Sequence, residues 1–117
     1  MTLHSIISLL LVFSIYGYSN TMHQQGTSEC IETKIEEFQA APVANPPIEI
    51  YQYFYNGKFV YLVSAPCCDM YTTLYDENCN IICYPSAGIT GEGDGRCNDF
   101  SETRSDESLI WKDDRKN

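Results

Sequence analysis

Six cysteines and one loop of alternating glycines and acids are the residues here whose types and spacing could do chemistry. The cysteines are Cys30, Cys67, Cys68, Cys79, Cys83 and Cys97. Thiolate metal binding and disulfide formation are the two chemistries that suit them. Cys79-x3-Cys83 has the spacing of half a structural zinc site, but adjacent Cys67-Cys68 does not. An even number of cysteines in a short exported chain reads instead as three disulfides. Neighbouring α-carbons sit about 3.8 Å apart, below the usual disulfide span, which sets the Cys67–Cys68 pair aside. Cys79 and Cys83 on an extended strand would be about 13 Å apart at roughly 3.3 Å per residue, which sets that pair aside too. The other connectivities stay open. Five of the six cysteines fall between 67 and 97. Cys30 is therefore expected to tie the N-terminal segment to the second half, unless it is free or bonds another chain.

The loop is TGEGDGRC, residues 90–97. Glycine loops cradle phosphate as G-x-x-x-x-G-K-[ST] or as G-x-G-x-x-G opening a helix. Here the spacing is G-x-G-x-G, the intervening residues are acidic, and Arg96-Cys97-Asn98-Asp99 does not read as a helix start. Phosphate is excluded on both counts. Calcium fits better. With Gly95 aligned to the invariant glycine of a helix–loop–helix calcium loop, Glu92 and Asp94 fall at ligand positions. Thr90 and Ser101 then stand where the first acid and the bidentate acid belong. Glu92, Asp94 and Asp99 are thus candidates for a weak calcium site at 90–99, and no other metal site is expected. The alternative is a turn whose glycines supply positive φ and whose acids face water.

Nucleophilic catalysis lacks a base. The only histidines, His4 and His23, lie in the N-terminal segment, and a Ser–His–Asp or Cys–His site needs one beside its nucleophile. Asp69, Asp76, Asp94 and Asp99 could act as acid–base carboxylates, but each sits where an aspartate caps a turn. The expectation is a protein that is not an enzyme and uses no cofactor.

These residues must be positioned by one domain. Residues 1–19 read as a secretory signal, with the apolar run IISLLLVFSI at 6–15 and small residues before Asn20. That run is too short to span a bilayer. Residues 20–27 are a flexible leader, 28–112 a disulfide-rich domain and 113–117 a charged tail expected to fray. The net charge of −9 repels nucleic acid and anionic lipid. Secretion, or location in the periplasm or cell envelope, is expected, with no membrane association of the mature form.

Ser28 is a helix N-cap, Glu29 and Glu32 suit the first turn, and Ile31, Ile35 and Phe38 form an apolar stripe. Pro42 stops this helix near Ala41, and APVANPP forms a stiff connector. IEIYQYFY and KFVYLVSA flank Asn56-Gly57, the strongest short hairpin signal. A two-residue turn pairs Tyr55 with Lys58, Phe54 with Phe59, Tyr53 with Val60 and Ile50 with Val63. One face carries Ile48, Ile50, Phe54, Phe59 and Val63, and the helix is expected to cover it. The other carries Tyr51, Tyr53, Val60 and Leu62, half-solvated or covered by the cysteine-rich half. Residues 72–75 and 81–84 read as a second hairpin turning at 76–78. Residues 86–96 are loop, NDFSETRSDES is polar, and LIW at 109–111 is a candidate edge strand. The fold class is α+β: one N-terminal helix on a small antiparallel sheet of hairpins, stapled by disulfides.

The order of motifs resembles a family of small exported proteins and lipoproteins of Bacteroidota, defined as a domain of unknown function. The residues that carry the resemblance are CIETKIEEF at 30–38, NPPIEIYQYFYNGKFVYLVSAPCCDMYTTLYDENCNIICYP at 45–85, GITGEGDGRCNDF at 88–100 and LIWKDDR at 109–115. It implies export and a single domain, and it brings no activity. The residues themselves point to a non-enzymatic binding module whose partner is a protein or carbohydrate. Tyr51, Tyr53, Glu92, Asp94 and Arg96 are the candidate binding surface. A protease-inhibitor-like module using the 84–91 loop and a calcium-dependent module are the alternatives.

Overall fold

The computed structural model describes residues 26–116. The expected signal at 1–19 and most of the leader at 20–27 lie outside the described residues.

Helix α1 spans Glu29–Ala40. The Ser28 Oγ accepts the amide of Ile31 at 3.2 Å, satisfying a donor that has no partner inside the helix. Ala41, next to Pro42, is extended and ends the helix. The connector carries a cis Asn45–Pro46 bond. Strands β1 (Glu49–Tyr55) and β2 (Lys58–Val63) then form the hairpin, in the expected register throughout. Asn56 and Gly57 both take positive φ, 51° and 82°, as a type I′ turn demands. Strands β3 (Thr73–Tyr75) and β4 (Ile81–Cys83) form the second hairpin. Its turn is set by Asp76, whose Oδ1 accepts the amides of Asn78 and Asn80 at 2.8 and 2.9 Å. Strand β5 (Ser105–Lys112) pairs with β1, giving an antiparallel sheet of order β4-β3-β2-β1-β5.

Each face of the sheet has its own core. Under α1, Ile31 packs with Ile48, Ile50, Tyr61 and Val63, and Ile35 and Phe38 flank them. Phe54 and Phe59 lie outside this cluster and meet each other, ring centroids 5.3 Å apart. The helix therefore covers the Ile48, Ile50 and Val63 part of the face expected of it, with two polar insertions. Gln52 and Tyr61 are buried there and satisfy each other, Nε2 to hydroxyl, at 3.1 Å. On the other face Tyr53, Tyr55, Val60 and Leu74 pack against Cys83, Cys97 and Phe100. The tyrosine face is covered by the cysteine-rich half.

The disulfides are Cys30–Cys79, Cys83–Cys97 and Cys67–Cys68. The first ties the helix start to the β3–β4 turn, so Cys30 does join the two halves. The third corrects the exclusion of adjacent cysteines. Their α-carbons are 3.7 Å apart, as chain geometry dictates. In an extended segment successive side chains point to opposite sides. Cys68 instead turns at φ 51°, which breaks that alternation and lets the two Sγ atoms meet.

Two further segments depart from the sequence reading. NDFSETRSDES is not plain polar surface: it contains a short helix α2 (Phe100–Thr103) and the first half of β5. The edge strand is thus eight residues long, bulged where Asp106 takes φ 56°. The tail also docks where fraying was expected. Asp113 is buried and holds the Arg115 guanidinium, Nη2 to Oδ2 at 2.7 Å and Nε to Oδ1 at 2.9 Å. The same guanidinium donates to the carbonyls of Gln39 and Phe38 at 2.9 and 3.1 Å. Those carbonyls end α1, whose last turn has no basic residue of its own. Arg115 supplies the missing cation from the far end of the chain.

Hydrogen bonds from Arg115 hold the Asp113 carboxyl below its ordinary value of 3.8, against the opposing effect of burial. A depressed folded-state value gives stability that is present above the ordinary range and lost as pH falls through the folded one. Asp113→Asn should therefore melt lower than the parent at neutral pH. It should also show a shallower loss of melting temperature between about pH 5 and pH 2.

Candidate functional site

Tyr84 follows Cys83, the last residue of β4, and the Cys83–Cys97 bridge closes the chain segment after it into a loop. Within the loop the backbone bonds to itself. The Gly93 amide donates to Ala87 O at 3.1 Å, Asp94 to Tyr84 O at 2.8 Å and Gly91 to Gly88 O at 3.2 Å. It also bonds to the segment before β3. Gly88 donates to Met70 O, Thr72 donates to Ser86 O, and the hydroxyls of Thr72 and Ser86 lie 2.8 Å apart. Two glycines are required by close approach as well as by positive φ. A Cβ on Gly93 would collide with the Tyr84 carbonyl and Pro85, and one on Gly88 would strike the Tyr71 ring.

The acids of this loop do separate jobs. Asp94 accepts the amide of Arg96 at 3.0 Å and its Nε at 2.8 Å. Partial desolvation pulls the Asp94 carboxyl up, but these bonds outweigh it and hold the group below its ordinary range. The paired Arg96 guanidinium lies over the Tyr84 ring, 5.9 Å from its centroid. Asp99 accepts the Tyr55 hydroxyl at 2.7 Å, and Glu92 is exposed. Asp94 and Asp99 are thus already engaged, and Glu92 does not join them. Among the described residues no group of three or more His, Cys, Asp or Glu side chains is placed to hold a metal ion.

Tyr53 is not available as binding surface, which corrects the sequence reading. It is 4% exposed. Its hydroxyl donates to Glu107 Oε1 at 2.8 Å, Arg104 lies 4.5 Å above its ring, and Phe100 meets it edge-on at 5.3 Å. Tyr55 meets the same Phe100 ring at 5.1 Å. Tyr51 is half-buried beside Tyr53. Desolvation, helped by the bond to Glu107, pushes the Tyr53 phenol up to about 12 from an ordinary 10. The fold favours the neutral form, so the stability it contributes is present below 10 and lost as pH rises through the folded value. Tyr53→Phe should flatten the fall in melting temperature between about pH 10 and 12 in an alkaline titration.

What the fold exposes instead is apolar. Tyr71 and Tyr84 stack with centroids 5.1 Å apart and planes at 24°. With Pro66, Met70 and Thr73 they line a shallow cleft. Ile89, next to Gly88, is 86% exposed, Met70 53% and Tyr71 41%. Sequence reasoning selected the 86–96 loop but weighed its acids and passed over Ile89. It left out Met70 and Tyr71 as well. A hydrophobic residue between two glycines, GITG, was the available signal: it has no neighbours in the chain with which to form a buried stripe.

A family model described as a domain of unknown function (DUF6970) matches residues 36–113. No curated protein matches, and no solved structure does. Among the described residues no helix is long and apolar enough to cross a membrane. The disulfides suit an extracellular or otherwise oxidising compartment.

Proposed function

The chain belongs to the family of the unknown-function domain DUF6970, and we propose that here the domain is an exported, non-enzymatic module that binds a protein partner. The observation that carries this reading is the exposure of Ile89, Met70 and Tyr71 on a backbone fixed by a disulfide and by hydrogen bonds. Ordering loops on binding costs free energy, and a surface held in place beforehand avoids that cost. The partner would offer an apolar segment to the cleft between Tyr71 and Met70. Its rim would meet Arg96, whose side chain is 56% exposed, on a protein of net negative charge. The N-terminal signal pattern and the resemblance to small Bacteroidota exported proteins support secretion, or retention in the periplasm or cell envelope. The acidity argues against nucleic-acid and anionic-lipid partners. A carbohydrate would stack on the same tyrosines, but Ile89 and Met70 offer it no hydrogen bonds.

The test is capture from the protein's native extracellular fluid, comparing the parent with the double variant Tyr71→Ser/Ile89→Ser. Both should melt at similar temperatures, since both side chains are exposed. The parent alone should retain a partner. Equal capture by the two proteins would contradict the assignment to this face.

One observation favours a second reading. Ile89 is 86% exposed on a loop closed by a disulfide, which is how small inhibitors present a residue to a protease pocket. Titration against a protease panel separates the two: stoichiometric inhibition lost in Ile89→Ser supports inhibition, and slow cleavage with no inhibition rejects it.

A further inference from the structure

The three disulfides differ in what they hold together. Cys30–Cys79 spans 49 residues and Cys83–Cys97 spans 14. Bridges of this kind restrict the unfolded chain and so stabilise the fold. Cys83 and Cys97 are also 1% and 7% exposed. Cys67–Cys68 has a sequence separation of 1. It closes only a ring of two residues, so it removes almost none of the unfolded chain's freedom. It joins no two elements either. Both cysteines lie between β2 and β3, in a turn closed by the Met70 amide on the Cys67 carbonyl at 2.9 Å. Cys68 is exposed and Cys67 half-buried. Access is one of the factors that decides which disulfide a thiol opens.

We propose that Cys67–Cys68 is a reversible thiol–disulfide exchange site, and that its substrate is a low-molecular-weight thiol. The thiolate attacks the exposed Sγ of Cys68. A sulfur–sulfur bond forms between the thiol and Cys68 as the Cys67–Cys68 bond breaks. The electron pair of the broken bond leaves on Cys67 Sγ, which solvent then protonates. A second thiol attacking the mixed disulfide releases the Cys67–Cys68 dithiol and one oxidised thiol dimer. In reverse, the Cys67 thiolate displaces the bound thiol and restores the ring. Pro66 and Met70 flank the pair in sequence and line the Tyr71–Tyr84 cleft, so the exchange takes place at its border. The proposal stands independently of any partner in that cleft.

Glutathione is the probe. The folded, oxidised protein is incubated with glutathione, quenched with N-ethylmaleimide and mapped by mass spectrometry. Glutathione should appear on Cys68 and maleimide on Cys67, or maleimide on both. Cys83 and Cys97 should react on the order of tenfold more slowly or not at all, as their burial predicts, and the half-buried Cys30 and Cys79 more slowly than the exposed Cys68. The double variant Cys67→Ser/Cys68→Ser should fold with the parent's melting temperature and take up no glutathione. Reaction of Cys67 and Cys68 no faster than the other four, or only on unfolding, would overturn the proposal. So would failure of the double variant to fold, because the bridge would then be structural.

Discussion

Replacing Phe100 with alanine should lower the stability of this protein by about 3–5 kcal/mol, the range for truncating a buried aromatic residue. Phe100 is 2% exposed, and its ring lies nearly perpendicular to those of both Tyr53 and Tyr55, at 85°, with centroids 5.3 and 5.1 Å away. Aromatic pairs in this geometry add to the burial itself. It also packs in one cluster with the Cys83–Cys97 bridge, so a cavity there would adjoin the covalent anchor of the glycine loop. The surroundings have little room to close it, since β1 and the disulfide bound it on two sides. Urea unfolding is the measurement. The midpoint should fall with little change in slope, because the folded surface stays nearly the same. Phe100→Leu, which keeps much of the volume, should cost considerably less.

Removal of the Cys30–Cys79 bridge as Cys30→Ala/Cys79→Ala should cost about 4 kcal/mol, on the loop-entropy relation for a closed segment of that length. Removal of Cys83–Cys97 should cost about 3 kcal/mol by the same relation. The order reflects the spans of 49 and 14 residues. Cys79 also enters the turn built on Asp76 with φ 64°, a conformation that alanine tolerates poorly whether or not the bridge forms. Comparison with Cys30→Ala/Cys79→Gly, whose glycine adopts positive φ without strain, separates the two effects. Denaturant midpoints of both double variants, measured under non-reducing conditions, check the ranking. Equal losses, or a larger loss for the shorter span, would show that strain or residual structure outweighs chain entropy.

Much of the first half was legible in the sequence because its signals are local. Ser28, Glu29 and Glu32 fix where α1 begins, and Pro42 fixes where it stops. Asn56-Gly57 sets a register from which every β1–β2 pair follows. The second hairpin was readable for the same reason, with Asp76 as its turn residue. The remainder depends on contacts distant in sequence. Phe100 is one apolar residue in a polar run, so no period marks α2 as buried. The Ser105–Ser108 part of β5 has exposed side chains and is a strand because β1 offers it an edge. Arg115 reads as part of a fraying tail until the carbonyls of Phe38 and Gln39 come within its reach. Tyr53 reads as binding surface because the alternation of β1 does not decide between a half-solvated second face and one covered by the cysteine-rich half. The Cys67–Cys68 pair was set aside on the geometry of ordinary bridges, and only the positive φ at Cys68 makes it possible. Of the site, the loop and its glycines were visible, while the apolar character of what it displays was overshadowed by its charges.

The most direct measurement is site-specific photo-crosslinking in fluid from the compartment to which the protein is proposed to be exported. A benzophenone side chain at Thr90, beside Ile89 and exposed, would sit at the edge of the apolar face and leave its residues intact. The same group at Glu36, on the solvent side of α1, is the control. A discrete protein adduct from position 90, absent from position 36 and lost when Tyr71→Ser/Ile89→Ser is added, is the predicted result. No adduct from position 90, or the same adduct from both positions, would contradict the assignment of this face to a protein partner.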